Sequence, residues 1–286
     1  MTDNSPFTGD YTCEYGVSAD VASGLRRIVA NNPSAYTFKG TNTYIVGRGA
    51  VAVIDPGPDS EAHAAAIMAA LARNGERASH IILTHEHKDH CSGLARLAAL
   101  TGAEVLGAGA MAGATLKDGS RIMGGDWELE AVHTPGHEPS HMCYALNSGA
   151  ALISGDHVMG WNTTVVAPPE GNMADYLRSL ELLIARKEEL YFPGHGGHVI
   201  QGRRLARALI MHRRWREAQI LDCLRQGHAS IGSIVPKIYE DLAENLVTAA
   251  AYAVLGHLDM MVETGLVIRD GHPGLHARYV LSADAL

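Results

Sequence analysis

Short apolar runs, each closed by a polar turn, recur along the first two hundred residues. Residues 43–55 (TYIVGRGAVAVID) read as two short strands about the Gly47-Arg48-Gly49 turn, the second ending at Asp55-Pro56-Gly57-Pro58. Residues 60–73 carry apolar positions at helical spacing, with Asp59 or Ser60 as cap and Asn74-Gly75 as stop. Ile81-Ile82-Leu83 predicts a buried strand that runs directly into Thr84-His85-Glu86-His87-Lys88-Asp89-His90. Residues 94–100 read as a helix and 104–106 as a strand. Residues 128–132 form a strand pattern that ends in His133-Thr134-Pro135-Gly136-His137. Residues 142–146 and 151–154 are apolar strands, the second ending in Gly155-Asp156. Residues 173–190 predict a helix capped by Asn172, with Leu177, Leu180 and Ile184 on one face. Tyr191-Phe192 then leads into Pro193-Gly194-His195-Gly196. Repeatedly an apolar strand ends and a His or Asp stands just beyond it.

The pattern changes near residue 203. A long helix over 203–226 stops at Gly227, two helical stretches come next at about 231–243 and 245–263, and residues 266–268 and 278–281 suit a small hairpin. Three helices and a hairpin give a winged-helix-like order. The chain is therefore divided into an α/β catalytic domain, 1–202, and a winged-helix-like α+β tail, 203–286. The helix in the DNA-reading position carries Asp259 and Glu263 and no Lys or Arg, which argues against duplex DNA as a partner. Arg203, Arg204, Arg207, Arg213, Arg214 and Arg216 crowd the first tail helix. They read as a solvated basic face, slightly ahead of a phosphate track for single-stranded RNA. The apolar faces of the tail suit packing against the catalytic domain or against a second copy in a homodimer.

Composition narrows the class. Of 286 residues 47% are hydrophobic and 19% charged, enough for a sizeable core and too apolar for disorder. A net charge of −8 disfavours a whole-surface nucleic-acid binder. No uncharged apolar run has the roughly 18 residues of a membrane helix, so no membrane role is expected. Residues 1–15 hold Asp3, Asp10 and Glu14 with no basic stretch or apolar run, unlike a secretory signal. Cys13, Cys91, Cys143 and Cys223 are scattered, form no CxxC and read as reduced thiols of a cytoplasmic protein. Histidine is the exception: there are 16, against 3 Phe and 3 Trp, and they cluster at 85–90 and 133–141. Histidine is the commonest metal ligand, so function is sought there.

His85-x-His87-x-Asp89-His90 is the strongest signal. In an extended stretch residues two apart point the same way, so His85 and His87 can close on one ion, while Asp89 and His90, at the next turn, can reach a second. Three imidazoles and a carboxylate in six residues are costly to bury without a partner; the competing reading is a solvated polar loop. His137, Asp156 and His195 each read singly as loop residues. Together they bring the set to seven ligands from four loops on one sheet edge.

The ordered set HxHxDH, TPGH, GD, PGHG resembles the metallo-β-lactamase superfamily over roughly residues 35–200. The resemblance implies an αββα sandwich with the site along one edge of two sheets. It implies that His85, His87 and His137 hold a first metal, that Asp89, His90 and His195 hold a second, and that Asp156 bridges. The family also places an Asp at Asp55. A metal-bound His usually donates its other N–H to a carboxylate, and Asp55 is the suitable one; the alternative is a turn cap. Residues 38–44 (FKGTNTY), the 160–171 loop, the His212-Arg213-Arg214 helix and the tail are similar to the beta-lactamase-like protein 2 group. Its animal members are endoribonucleases on single-stranded RNA. Here Glu86 and Lys88 fill the two variable slots of the first motif.

Zinc suits imidazole and carboxylate ligands, two ions per chain; manganese and iron tolerate the same set. Two ions about 3.5–4 Å apart would share a bridging hydroxide that attacks carbon or phosphorus, with Asp89 or Asp156 taking the proton. Two divalent cations, two carboxylates and one hydroxide leave about +1, which favours an anionic substrate or transition state. The expectation is a dinuclear metal hydrolase acting on single-stranded RNA or, alternatively, on a thioester or lactone as glyoxalase II-like enzymes do. An exported β-lactamase and a regulatory winged-helix protein with a degenerate site fit less well. His141 and His198 read as substrate contacts or structural histidines, His133 and His157 as neither ligand, and residues 161–164 (WNTT) as pocket wall.

Overall fold

The computed structural model describes residue 7 and residues 11–146 and 151–283. Within them the chain separates into two compact units. The first takes in Met1–Thr134, Ser140–Thr164 and Leu183–Leu205; the second takes in Pro135–Pro139, Val165–Leu182 and Ala206–Leu286. The division thus interleaves along the sequence, and segments 135–139 and 165–182 group with the tail. Close backbone packing accounts for this. A Cβ on Gly136 would lie 2.3 Å from the Cα of Tyr176, and one on Gly256 2.9 Å from the Val166 carbonyl.

The first unit holds two sheets. Strands β1 (Ala19–Ala22), β2 (Leu25–Val29), β3 (Asn42–Val46), β4 (Ala50–Ile54), β5 (Arg77–Ile82), β6 (Glu104–Gly107) and β7 (Ala114–Thr115) lie in sequence order in one. Strands β8 (Arg121–Met123), β9 (Glu128–His133), β10 (Met142–Leu146), β11 (Ala151–Gly155) and β12 (Leu190–Pro193) form the other, in the order β12-β11-β10-β9-β8. Tyr44, Ala52, Ile54 and Ile82 of the first sheet and Leu129, Met142, Tyr144 and Ile153 of the second share one core. The strands β3 and β10 are buried along their whole length, as strands covered on both faces must be. Helices α1 (Glu61–Arg73) and α3 (Leu94–Thr101) cover the outer face of the first sheet with Ile67, Leu71, Leu94 and Leu97. Ser60 caps α1 as expected, its hydroxyl accepting from the His63 N–H.

Three buried donors stitch the sheets together. Tyr144 Oη donates to the Leu83 carbonyl at 2.6 Å, Tyr44 Oη to the Pro193 carbonyl at 2.7 Å, and Trp127 Nε1 to the Ala50 carbonyl at 2.7 Å. Between β5 and α3 the chain makes a single helical turn, α2 (Lys88–Cys91), which the sequence pattern did not show.

In the second unit α4 (Met173–Ala185) ends five residues before the expected 190. Residues 190–193 pair instead with β11, in parallel. Beyond it lie α5 (Gly202–Arg225), α6 (Ile231–Ile238), α7 (Val247–Glu263) and the hairpin β13 (Val267–Asp270) and β14 (Arg278–Leu281). Ile220, Ile234, Val254, Leu258 and Tyr279 form their core. This is the helix, helix, helix, hairpin order read from the tail. A capping box between Ser230 and Ser233 starts α6. Among the described residues no helix is long and apolar enough to cross a membrane.

The arginine run on α5 is not a single solvated face. Arg213 and Arg216 are buried, stacked over Tyr176 and Tyr239 with the guanidinium 5.3 and 4.1 Å from the ring centres, and Arg203 pairs with Glu189. His257 of α7 is fully buried, with neither ring nitrogen hydrogen-bonded among the described residues. Burial, aided by the charges of Arg213, Arg216 and His212, pushes its pKa down to about 3. His212 is pushed down to about 4 by burial and the same two arginines.

Unfolded, each imidazole has a pKa of about 6.5. Their contribution to stability is therefore intact above that pH and is lost as pH falls toward the folded values, at up to about 1.4 kcal/mol per pH unit for His257 and less for the partly exposed His212. Melting temperature should drop between pH 6.5 and 4 in the native protein and drop less in His257→Leu. Parallel curves for the two proteins would remove this account.

Candidate metal centre

Four strand ends in the first unit carry the candidate ligands and their supporting residues. β5 delivers Thr84 and His85, β4 delivers Asp55, β11 delivers Asp156, and β12 delivers His195. Asp55 stands in the left-handed region at φ 53°, which Asp tolerates better than most residues. Its carboxylate is the hub behind the site. It accepts from the Thr84 N–H at 2.8 Å, from Thr84 Oγ1 at 2.7 Å and from His90 Nδ1 at 2.9 Å.

The hydrogen bonds of His90, His195 and His85 set which ring nitrogen of each faces the site. His90 gives its Nδ1 proton to Asp55, so Nε2 is left as donor atom. That Nε2 lies 3.2 Å from Asp89 Oδ2, 3.5 Å from Asp156 Oδ1 and 3.3 Å from His195 Nε2. His195 gives its Nδ1 proton to the Gly40 carbonyl at 3.2 Å, and its Nε2 lies 3.2 Å from Asp89 Oδ2 and 3.3 Å from Asp156 Oδ2. Thr84 Oγ1, already donating to Asp55, accepts from His85 Nδ1 at 3.0 Å, so His85 too presents Nε2. His87 Nδ1 sits 3.0 Å from that atom. His137 belongs to the second unit. It donates Nδ1 to the Val165 carbonyl at 2.6 Å. The partners thus dictate the tautomers.

Two groups in the first unit could hold an ion: His85, His90 and Asp156, and Asp89, His90 and His195. The burial of the set makes the case. His90, His195 and Asp156 are buried, so two facing imidazole nitrogens and two carboxylates need protons or a cation shared between them. Left to protons alone, burial would lower His195, but Asp156 and Asp89 hold it up at about 9. Burial would raise Asp156, but His195 and His90 hold it well below the usual carboxylate range. Burial likewise opposes Asp89, and His90 with His195 overrides it. Divalent cations would take the place of those protons. Gly194 keeps the space open: a Cβ there would lie 2.4 Å from Asp156 Oδ1 and 2.6 Å from His90 Cε1. The donor set is all nitrogen and oxygen. Cys91 is buried and points its thiol at the Glu86 carbonyl. The residues therefore fit divalent metal.

Several supporting residues had no role that the sequence could assign. Thr41 Oγ1 donates to Asp89 Oδ2 at 3.2 Å. Asn42, fully buried, donates Nδ2 to the Pro193 and Gly196 carbonyls at 2.8 and 2.9 Å and so pins the His195 turn. Only the FKGTNTY stretch hinted at them. His141 proves structural: its Nε2 accepts from the Asp156 N–H at 3.1 Å while Nδ1 meets Thr134 Oγ1 at 2.9 Å. His157 is buried, His133 half-buried, and His198 is exposed beside Phe192.

The family model described as the metallo-beta-lactamase superfamily matches residues 36–110 and 112–195, and the beta-lactamase associated winged helix domain matches residues 230–275. A beta-lactamase-like protein 2 homolog of Drosophila melanogaster is 32% identical over 272 residues, covering 86% of this chain and 90% of its own length. A thioesterase of Emericella nidulans is 30% identical over 281 residues, covering 88% and 80%. An atrochrysone carboxyl ACP thioesterase of Aspergillus fumigatus is 31% identical, covering 70% of this chain but 64% of its own length. In fold, the chain is similar to a beta-lactamase domain protein of Burkholderia ambifaria, with a TM-score of 0.81 at 21% identity over 96% of both chains.

Proposed function

Since this chain belongs to the metallo-beta-lactamase superfamily of hydrolases, we propose that it hydrolyses thioesters with two zinc ions. In the first unit Asp89, His90 and His195 would hold one ion, and His85 with Asp156 would take part in holding the other; the family resemblance adds His87 and His137 to that second set. The observation that carries the reading is the convergence of His90 Nε2, His195 Nε2, Asp89 and Asp156 in a buried pocket. Thioester chemistry is favoured because relatives matching most or much of the chain are named thioesterases.

Such ions, when bound, lower the pKa of a shared water and polarise the scissile carbonyl. The chain's own groups do the rest. Asp55, Thr84 and the Gly40 carbonyl hold the imidazoles in one tautomer and one orientation. Asp89 is the least buried carboxylate of the set, with 28% of its side chain exposed, and it is the group placed to take a proton from the attacking water and release it to solvent. Thr41 steadies it.

Single-stranded RNA is the second reading. Arg204, Arg207 and Arg214, with Trp215, are exposed on α5 and suit phosphates and a base. The burial of Arg213 and Arg216 leaves that face with fewer charges than the sequence promised. The zinc-loaded protein should cleave S-acyl-N-acetylcysteamine thioesters, and Asp89→Ala should not. Cleavage of single-stranded RNA with the thioesters untouched would reverse the order of the two readings.

A further inference from the structure

A cavity of about 530 Å³ lies within the second unit, lined by residues of the 168–173 segment, of α7 and of the turn at 273–275. Its volume is in the range of small-molecule sites. Tyr252, Leu255, Asp259, Met260 and Glu263 recur at helical spacing, so one face of α7 borders the space. With Met173 and Leu275 they make an apolar lining that carries two charges, both negative. Arg269 of β13 donates to Asp259 Oδ1 at 2.9 Å from outside that lining. Burial still holds the Asp259 carboxyl above its ordinary value against the pull of the guanidinium, the mark of a place where more positive charge is stabilising. Glu263 adds a second negative charge one turn further along the helix.

The wall formed by the 168–173 segment is tied to His137. The Val165 carbonyl accepts the His137 Nδ1 proton at 2.6 Å, and the Asn172 N–H donates to the Gly136 carbonyl at 2.9 Å. Pro168, Asn172 and Met173 line the cavity. The stretch that closes on the His137 turn from both of its ends is therefore also a cavity wall. Helix α7 meets this stretch at Gly256, where a Cβ would lie 2.9 Å from the Val166 carbonyl and 3.8 Å from Met173 Cε. Two bonds fasten the same parts to α4: Asn172 Oδ1 accepts from the Asp175 N–H at 2.9 Å, and Ser179 Oγ donates to the Pro135 carbonyl at 2.8 Å. A molecule in the cavity thus bears on the backbone that orients His137.

We propose that this cavity binds a small apolar ammonium compound, and that the bound compound braces the backbone holding His137. The hydrocarbon body lies against Met173, Leu255 and Met260, and the ammonium group offsets Glu263 and the half-buried Asp259. Filling the space resists collapse of the 168–173 segment onto α7, so the pose in which Val165 and Gly136 clamp His137 is favoured. A coupling of this kind is reciprocal: what steadies the metal ligand also binds better once the metal is in place. The ligand assignment stands on the cavity alone, whereas the brace rests on the metal reading of His137 given above.

The compounds 2-(1-naphthyl)ethylammonium and 2-(1-naphthyl)ethanol share a ring system and a chain and differ in charge. Zinc-loaded protein is titrated calorimetrically with each. The ammonium compound should bind about fivefold more tightly, the upper range for a solvent-accessible ion pair. The ratio should fall below about two in Glu263→Gln. Met260→Trp, which fills the cavity, should abolish binding of both. With the ammonium compound at saturation, a competing chelator should find zinc held about fivefold more tightly.

Equal affinity for the two compounds, or an ammonium preference that persists in Glu263→Gln protein of native melting temperature, overturns the ligand assignment. Binding that survives Met260→Trp lies elsewhere on the chain and overturns the cavity. Zinc affinity that is unchanged or lowered by the ammonium compound overturns the brace. Binding that depends on Glu263, in protein that takes up no zinc under any condition, supports the cavity and overturns the metal reading instead.

Discussion

Asp156→Asn is expected to lower kcat/KM for thioester hydrolysis about a thousandfold, roughly 4 kcal/mol of transition-state stabilisation. Asp156 offers one oxygen to His90 and the other to His195, and it is buried. The amide keeps the shape but removes the charge between the two proposed cation sites and substitutes an N–H donor for one carboxylate oxygen. The loss should appear in kcat together with a fall in bound metal, measured on the same protein by elemental analysis. Activity within tenfold of native at full metal content would show that the carboxylate is not where the cations sit.

Asp55→Ala should act on stability and metal affinity together. The substitution strands three buried donors at once: the Thr84 N–H, Thr84 Oγ1 and His90 Nδ1. At about 1–3 kcal/mol per unsatisfied donor, a loss of about 3 kcal/mol or more is expected, and a fall of about 10 °C in melting temperature. Metal affinity should fall about 10- to 100-fold, because His90 is then free to turn or to present the wrong nitrogen. Asp55→Asn, which also tolerates the left-handed backbone, should keep the fold and still bind metal more weakly. Calorimetry and a competing chelator separate the two effects. Native metal affinity in Asp55→Asn would remove Asp55 from the site.

The candidate-ligand motifs stood out because each follows a strand whose apolar run is short and unambiguous. Ile81-Ile82-Leu83 could hardly lie anywhere but the core, so Thr84 and His85 must emerge at a sheet edge. Long-range partners were not legible. The strand β2 contains Arg26 and Arg27, and the local sequence gives no partner for either charge. Arg26 is buried because Glu76, fifty residues on, meets it at 2.7 Å. Arg213 and Arg216 looked solvated because the rings that cover them, Tyr176 and Tyr239, are far off in sequence. The helix expected to reach 190 carries Glu and Lys at helix-favouring positions. It stops early because Arg186 is engaged by Glu188 and Glu130 and the next residues join a sheet. Asn42 matters through carbonyls about 150 residues away, and Thr41 through a carboxylate 48 residues on, which no local pattern encodes.

The Tyr144, Tyr44 and Trp127 bonds between the two sheets run in both directions, and they limit the mechanics of the first unit. Slippage of one sheet past the other by a single residue, about 3.3 Å, would break all three simultaneously. Shear is thereby closed off as a route of motion. The separation between His85 on one sheet and Asp156 and His195 on the other then behaves as a fixed gauge length, and any breathing that admits a substrate must come from the connecting segments.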